Sequence, residues 1–379
     1  MRKISKNVKV LGSVSFFTDV SSEMILPVLP LFLINVLGAR KSHLGLIEGV
    51  AEFTSSLSKV FSGWYSDRIK KRKPFVLIGY GLSNFIKPVF AVTGSWIQVL
   101  LIRFVDRTGK GIRTAPRDAL IAEVSPEDTR GGAFGLHRSM DTLGAVVGGA
   151  VAFFLLRVFP ENFRLIFALS LIPGLTAFII AVKFVREGER RGPLDSQKLT
   201  MGFSGSFYYF IAVMFIFTFA NPSYAFVILR LSEMSITTAF IPLIYIWFNV
   251  IYSIAAYPAG IISDRWGRSL TLSVGILLMA IMLFGFAKGG GVIEAILLSA
   301  LYGVVIAIWE TVSRTYVAEL VPIEKIGTAM GIYHTAIGIA FFPANLLFGW
   351  LWDLFRAPFA FNVAAIIAVI SFLMIQIKR

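Results

Sequence analysis

The sequence predicts an all-α integral membrane protein in which twelve transmembrane helices form two parallel six-helix pseudo-repeats. Three observations support this fold class. Apolar residues make up 56% of the 379 residues and charged residues only 15%, whereas about a quarter of the residues of a soluble domain are charged. Apolar stretches of about 20 residues, the length at which a helix crosses a bilayer, recur along the whole chain. A charged motif in the first half reappears in the second half.

Twelve of the apolar stretches are long enough to cross a membrane, and each is predicted to be a helix because lipid offers no hydrogen-bond partners to an open backbone. They cover 8–36, 43–65, 74–94, 96–116, 131–157, 163–183, 204–228, 238–262, 269–287, 292–313, 328–354 and 358–377. The longest polar stretch lies at the centre of the chain and leaves six spans on either side. We therefore predict an N-terminal six-helix bundle over 1–183, a cytoplasmic linker over 184–203 and a C-terminal six-helix bundle over 204–379.

The chain carries a formal net charge of +14, and its basic residues are concentrated in the short links between spans. Links on the side of the N-terminus hold roughly three times as many lysines and arginines as the opposite links, as expected where basic links remain in the cytoplasm. We therefore predict a multi-pass protein of the cell membrane with both termini in the cytoplasm. Because topology accounts for the charge, no nucleic-acid partner is expected.

The residue types that several other functions need are absent from the sequence. It has no cysteine and three scattered histidines, which argues against a metal site, so we expect neither a metal nor a cofactor. It contains no nucleophile elbow, no His-Glu-x-x-His motif and no phosphate-binding loop. We therefore expect no enzymatic activity. The alternative to a transport function is a non-transporting membrane receptor or a membrane enzyme.

A short charged motif joins predicted spans two and three and is repeated between spans eight and nine. The first copy runs from Gly63 to Arg68, and the second runs from Gly260 to Arg265. A second match, Ala-Glu-x-x-Pro followed by a glycine-containing turn, follows spans four and ten at nearly the same separation, about half the chain. Two local matches at one separation indicate an internal duplication, and the equal orientation of the halves makes the repeats parallel.

The pattern Gly-x-x-x-Asp-Arg-x-Gly-Arg resembles the signature loop of the major facilitator superfamily, and the resemblance covers the whole chain. The second copy is complete, whereas the first has Lys70 in place of the glycine. The resemblance implies a secondary active transporter in which this loop latches two six-helix halves on the cytoplasmic side. By this resemblance the gating residues are Gly63, Asp67, Arg68, Gly260, Asp264 and Arg265.

The charges of the first loop also have expected partners that do not depend on the resemblance. Asp67 ends a helix, where its carboxylate can meet the positive N-terminal dipole of a neighbouring span. Arg68 can pair with Asp118 or Glu123 at the end of span four. Such pairs break and re-form at little cost at a wet surface. The alternative is a solvated loop that only sets the topology.

Four glycines of span five form a second likeness. Gly135, Gly144, Gly148 and Gly149 resemble the superfamily's antiporter pattern, Gly-x8-Gly-Pro-x-x-Gly-Gly, with Ala145 in place of the proline. The resemblance implies antiport. Residues this small also let two helices approach closely, so an ordinary packing face is the alternative.

Ionisable residues inside the spans are concentrated in the first half. Each costs about 2.5–3.5 kcal/mol at the centre of a membrane helix, so each is expected to be functional or paired. In span four they follow at steps of three and four, which forms one charged stripe from Arg103 to Arg117 along a helix. Such a stripe cannot face lipid. The resemblance places spans one, four, seven and ten around a central cavity, and Arg103 matches the first residue of the superfamily's Arg-x-x-Gln-Gly pattern.

A carboxylate that is desolvated in one conformation and paired with a cation in another changes its proton affinity, and this couples protons to a conformational change. The candidates for proton coupling are Asp19, Glu23, Glu52, Asp106 and Asp141. The candidates for lining the cavity and binding substrate are Arg103, Arg107, Lys110, Arg113, Asn221, Tyr224, Asn249 and Trp309. For each charged residue a purely structural ion pair is the alternative.

These observations favour a proton-coupled antiporter that exports a small amphipathic or drug-like molecule by alternating access. The arginine-rich stripe supports a second transport hypothesis, a uniporter or symporter for an organic or phosphorylated anion, because arginine binds planar oxyanions well. The expected partners are a small-molecule solute, protons and the lipid bilayer. The protein is expected to be monomeric.

Overall fold

The protein is described by a computed structural model that covers residues 5–69, 71–125, 130–188, 202–322 and 325–377. These ranges contain helices and turns and no β-strand. Position Lys70 of the first motif and most of the predicted linker, 189–201, lie outside the described residues.

The helices follow one another along the chain with short connections. They are α1 Lys6–Ile25, α2 Leu29–Leu31, a π-helical segment Phe32–Val36, α3 Lys41–Ile69, α4 Lys73–Ile86, a 3₁₀ segment Lys87–Val92, α5 Trp96–Glu123, α6 Arg130–Val158, α7 Phe163–Leu169, α8 Leu171–Phe184, α9 Gly205–Thr218, α10 Tyr224–Glu233, a 3₁₀ segment Thr238–Phe240, α11 Ile241–Trp266, α12 Arg268–Lys288, α13 Val292–Glu319 and α14 Ile326–Ile377.

Eight stretches of the described residues are both long and apolar enough to cross a membrane. The last of them, Thr328–Ile377, contains a break at Arg356, where φ is 68°, and therefore supplies two passages. The helices α3 and α5 have the length for a passage but carry many charges, and α9 and α10 together form a broken one. Counted this way, the described helices fill the twelve predicted spans.

Several helices run past the ends that hydropathy predicts. Span two was predicted to end at 65, but α3 continues to Ile69, and span four was predicted to end at 116, but α5 continues through Pro116 to Glu123. Hydropathy detects only the part of a helix that matches the thickness of the lipid core. The additional turns are polar, and they carry the charged residues of the repeated motif and its partners.

The first compact unit comprises Met1–Gly38 and Val50–Asp195. Within it α1 packs against α6 and α8, and α4 packs against α5 and α8. Its buried core includes Val14, Tyr80, Leu120 and Ala177 from four different helices. The contact between α1 and α6 brings the carboxylate-bearing face of α1 against a glycine-rich face of α6.

The second compact unit comprises Ala39–Gly49 and Ser196–Arg379, so the first turns of α3 belong to it, whereas the sequence predicted them in the N-terminal bundle. Their packing explains the difference. A Cβ atom on Gly45 would collide with the Asn345 carbonyl oxygen of α14. The Asp353 carboxylate of α14 accepts hydrogen bonds from the backbone N–H groups of Lys41 (2.9 Å) and Ser42 (2.8 Å), which caps α3. In the rest of this unit α11 packs on α13, and α12 packs on α13 and α14.

Candidate functional site

A small cavity of about 30 Å³ lies within the first unit, between α1, α4 with its 3₁₀ extension, and α5. This volume is about that of one water molecule and lies well below the range of small-molecule sites, about 300–1,000 Å³. The charged residues that line it are Asp19, Glu23, Lys87, Arg103, Asp106, Arg107, Lys110 and Arg113. Basic side chains therefore outnumber acidic ones around the cavity.

The helix α5 supplies most of this charge because of its period. It begins at a capping box, in which Ser95 and Gln98 cap the first turn. From Arg103 onward its charged residues recur every three or four positions and therefore share one face. Leu101 and Phe104, which point elsewhere, are exposed. The structure places Asp106 and the stripe's basic residues as far as Arg113 on the cavity wall.

Asp106 has contacts on both of its carboxylate oxygens. The Ser83 hydroxyl donates a hydrogen bond of 2.5 Å to its Oδ1 atom. Its Oδ2 atom lies 3.8 Å from a guanidinium nitrogen of Arg103 and 3.8 Å from Nε of Arg107. The carboxylate therefore has a hydrogen bond on one oxygen and two cations near the other.

Lys87 is a cavity residue that the set predicted from the sequence did not contain. Its ammonium is buried and donates to Ser22 Oγ (2.9 Å), to Asn84 Oδ1 (3.0 Å) and to the Thr18 carbonyl oxygen (3.4 Å). It thereby ties the 3₁₀ extension of α4 to α1 and satisfies a charge that would be costly to bury alone. A signal was available in the sequence, because Lys87 is the single basic residue of predicted span three and follows Ser83 and Asn84 at helical spacing.

Asp19 and Glu23 reach the cavity from one face of α1, and glycines of α6 lie behind both. A Cβ atom on Gly144 would lie 3.1 Å from the Asp19 Cβ atom and 2.5 Å from the Phe16 carbonyl oxygen. A Cβ atom on Gly148 would lie 2.9 Å from the Glu23 Cβ atom. These two glycines therefore allow α1 to approach with both carboxylates in place.

Gly135, another glycine of the antiporter-like pattern, differs from this pair. It is exposed and has no neighbouring atom within 4 Å of an added Cβ. Gly149 is buried, like Gly144 and Gly148. The close contact with α1 thus involves Gly144 and Gly148 and not Gly135.

Two of the five predicted proton-coupling carboxylates do not line the cavity. Glu52, on α3, is half-buried and acts electrostatically on Lys110. Asp141, on α6, lies 3.6 Å from Nδ1 of His137 and acts electrostatically on Asp19. Neither residue lines the cavity, but each interacts with a residue that does, Glu52 with Lys110 and Asp141 with Asp19.

The predicted residues of the second half lie in the second unit, where ring contacts dominate. Tyr224 stacks on Phe248 and Tyr302, with ring centroids 4.9 and 5.7 Å away. Trp309 meets Phe217 edge-on at 6.1 Å. Two amides accompany the rings. The Asn249 amide donates to the carbonyl oxygen four residues earlier in its own helix, and Asn221 is buried.

The repeated motif forms the same four-residue cluster in both units, centred on an arginine that lies beyond Arg68 and Arg265. In the first unit Arg72 donates to Ser66 Oγ (2.6 Å) and Glu123 Oε1 (3.2 Å) and pairs with Asp67. In the second unit Arg268 makes the equivalent contacts, which are Ser263 Oγ at 2.5 Å, Glu319 Oε1 at 2.9 Å and Asp264 Oδ1 at 2.5 Å.

The expectation that Arg68 pairs with Asp118 or Glu123 is wrong. Arg68 lies over the Trp64 ring at 5.6 Å, and Asp118 pairs with Arg117 at 2.8 Å. Arg72 pairs with Glu123 because it immediately precedes α4, next to the end of α5. The packing of the two helices, which the sequence does not reveal, decides which arginine is close enough.

We expect Arg72→Gln to lower the free energy of unfolding by about 1–3 kcal/mol, because three partners lose a charged, buried donor. Arg268→Gln is expected to cost about 1 kcal/mol or less, because Asp264 and Glu319 are largely exposed. Thermal unfolding of the purified protein in detergent measures both. Arg68→Gln is the matched control, and an Arg72→Gln variant that is as stable as this control would contradict the assignment.

Comparison with known families identifies the chain. The model of the Major Facilitator Superfamily matches residues 11–234 and 205–378. The chain belongs to the major facilitator superfamily. It is also 35% identical over 385 residues to an uncharacterized MFS-type transporter of Methanocaldococcus jannaschii, MJ1317, covering 99% of this chain and 95% of that protein.

Two further similarities are more distant. Over 196 residues this superfamily member is 26% identical to the quinolone resistance protein NorA of Staphylococcus aureus, which covers 52% of this chain and 49% of NorA. The crystal structure of a D-xylose-proton symporter superposes with a TM-score of 0.75 at 19% identity, covering 97% of this chain and 95% of that one. The predicted all-α membrane fold is confirmed, and membership of this family makes the protein a multi-pass transporter rather than an enzyme.

Proposed function

We propose that this transporter is a proton-coupled antiporter that exports a small amphipathic or drug-like molecule by alternating access. It acts in the cell membrane with both termini in the cytoplasm. The observation that carries the proposal is the cavity of the first unit, where Asp19, Glu23 and Asp106 share one small space with five basic side chains. Ionisable groups at membrane depth are retained where they bind or move charge.

Two carboxylates of this cavity, Asp106 and Asp19, have different electrostatic surroundings. Asp106 has Arg103 and Arg107 beside it, whereas the acidic neighbours of Asp19 are Asp141 and Glu23. Two carboxylates in such different environments can divide the work, one remaining ionised while the other exchanges a proton. A shift of α1 against α5 changes which cations Asp19 meets, because Lys110 and Arg113 also act on it. Proton binding is thereby coupled to helix movement.

The choice of antiport and of a drug-like solute has its own support. The close α1–α6 contact at Gly144 and Gly148 belongs to the antiporter-like pattern of the sequence. NorA, which matches about half of the chain, is by name a quinolone resistance protein. Inward movement of one proton supplies about 2.3 kcal/mol per 100 mV, enough to export a neutral solute against a gradient of roughly fiftyfold.

The proposal is tested with purified protein reconstituted into liposomes under an imposed pH gradient. The probe is norfloxacin, a fluorescent quinolone. We expect norfloxacin to accumulate on the acidic side at a rate that falls to background when a protonophore collapses the gradient. Protein-free liposomes with the same gradient correct for passive trapping. Protein-dependent movement that is indifferent to the protonophore would contradict proton coupling.

A second candidate function has a specific observation in its favour. Arg113 lines the cavity, is buried, and lies over the Tyr80 ring at 4.5 Å. Within the described part of the chain, its Nε atom and one terminal nitrogen have no hydrogen-bond partner. A carboxylate or phosphate on the solute would satisfy both. A uniporter or symporter for an organic or phosphorylated anion is therefore the alternative.

Thermal-shift measurements separate the two functions. If the protein is the proposed antiporter, we expect lipophilic drug-like compounds to stabilise it even when they carry no anionic group. The alternative predicts stabilisation by organic and phosphorylated anions alone, which Arg113→Gln should remove.

A further inference from the structure

A titratable pair on α6 lies beside the cavity of the first unit. His137 Nδ1 lies 3.6 Å from Asp141 Oδ2, one helical turn away. The histidine is buried, with 4% of its surface exposed. Within the described residues, His137 Nε2 and Asp141 Oδ1 are buried and have no hydrogen-bond partner. Such atoms are uncommon in folded proteins, and each requires a structural or functional explanation.

The pair interacts electrostatically with a cavity carboxylate and with an exposed one. Asp141 acts on Asp19, which lines the cavity. Asp118 of α5 acts on His137, and 44% of the Asp118 side chain is exposed. The charged groups that face His137 are Arg117 and Asp118 from α5, and Arg138 and Asp141 from its own helix. The arginines oppose a positive charge on the ring and the carboxylates favour one.

We propose that His137 is the outlet of the proton path, which takes protons from Asp141 and gives them to water at the Asp118 end of α5. The inference rests on the proposed proton-coupled function and adds a residue to it. Imidazole suits this role because it gains and loses a proton near neutral pH and offers two separate nitrogens. Since Nε2 is buried, release to water requires the helices that cover it to part. Proton exit is therefore tied to the conformational cycle.

Each step moves one proton. The protonated Asp141 carboxyl gives the proton on Oδ2 to Nδ1 of a neutral ring that carries its own proton on Nε2. This leaves an Asp141 carboxylate and a His137 imidazolium. The imidazolium then gives one proton to water, which restores the neutral ring. The separation of 3.6 Å is long for a hydrogen bond, as is common for proton-transfer pairs at rest, and the transfer requires the two side chains to approach.

Transport measurements test the outlet with a matched pair of variants. His137→Gln keeps a hydrogen-bonding side chain but cannot carry a proton, and His334→Gln makes the same change in the second unit. We expect His137→Gln to lower norfloxacin movement driven by a pH gradient at least tenfold. Norfloxacin counterflow without a pH gradient should stay within twofold of the wild type. His334→Gln should match the wild type in both assays.

The outcomes separate this inference from the function on which it rests. If the wild type shows no gradient-driven norfloxacin movement, both the proposed function and the proposed role of His137 are contradicted. If the wild type is coupled and His137→Gln remains equally coupled, the outlet alone is overturned. Loss of counterflow together with coupling in His137→Gln would show that the residue is structural, and this also overturns the outlet.

A spectroscopic test does not need a solute. The chain has three histidines, so selective isotope labelling gives three imidazole NMR signals, and His137→Gln assigns the one of interest. We expect this signal to titrate reversibly, and we expect Asp141→Asn to displace its titration curve while the other two curves stay unchanged. A His137 signal that does not respond to pH, or whose curve is indifferent to Asp141→Asn, would overturn the proposal.

Discussion

Asp19→Asn is expected to abolish uphill transport and to leave the protein folded. The side chain keeps its shape but can no longer bind and release a proton. Acid–base groups that carry a proton contribute roughly 10²–10⁴-fold to a rate, and we expect gradient-driven norfloxacin movement to fall by about that factor. Stability should change little, because the substitution removes a buried charge, which is costly to desolvate and is repelled by Asp141 and Glu23, while the attraction of Lys110 and Arg113 that it also removes is weaker.

Two measurements accompany this variant. Counterflow of norfloxacin at equal pH on both sides should survive, because solute exchange does not require net proton movement. Glu233→Gln is the matched control, since Glu233 is an exposed carboxylate of the second unit that pairs with Arg230. An Asp19→Asn protein that still accumulates norfloxacin at the rate of Glu233→Gln would remove Asp19 from the mechanism.

Gly144→Ala is expected to destabilise the protein strongly, whereas Gly135→Ala should stabilise it. The two glycines share one helix and one sequence pattern. The added methyl at Gly144 would lie 2.5 Å from the Phe16 carbonyl oxygen, so α1 must move away from α6, at a cost of about 1–3 kcal/mol or more. At Gly135 the methyl meets open space, and the better helix propensity of alanine gains about 0.5–1 kcal/mol.

Thermal unfolding in detergent distinguishes these two variants. Because Asp19 lies on the same contact, Gly144→Ala should also weaken gradient-driven transport in the fraction that folds. Equal unfolding temperatures for Gly144→Ala and Gly135→Ala would show that the close approach of α1 and α6 does not hold in the folded protein.

Much of the fold could be predicted from the sequence because two signals are strong. The length of the apolar stretches marks the passages, and the repeated motif marks the duplication. Helix ends were less predictable, as α5 shows, because polar turns beyond the lipid core carry no hydropathy signal. The grouping of 39–49 with the second unit could not be predicted either, because it results from contacts of Gly45 and Asp353 with residues distant in sequence.

The same distinction applies to the candidate site. Features that depend on local sequence spacing could be predicted, whereas features that depend on contacts between distant segments could not. The stripe of α5 could be placed on one face because its spacing is helical. Lys87 was harder to assign, because its partners Thr18 and Ser22 lie on another helix. The arginine at the centre of each motif cluster could not be chosen from the sequence, since Arg68 and Arg72 have the same chemistry and differ only in what α5 brings near them.

The most direct test of proton coupling through the first-unit cavity is to measure the proton movement that a norfloxacin gradient drives through the transporter. Liposomes containing the protein and a trapped pH-sensitive dye are prepared without a pH gradient, and norfloxacin is added outside. The account predicts a protonophore-sensitive change of internal pH for the wild type and for Glu233→Gln, and none beyond the protein-free control for Asp19→Asn. Norfloxacin entry without proton movement in the wild type, or an unchanged signal in Asp19→Asn, would contradict it.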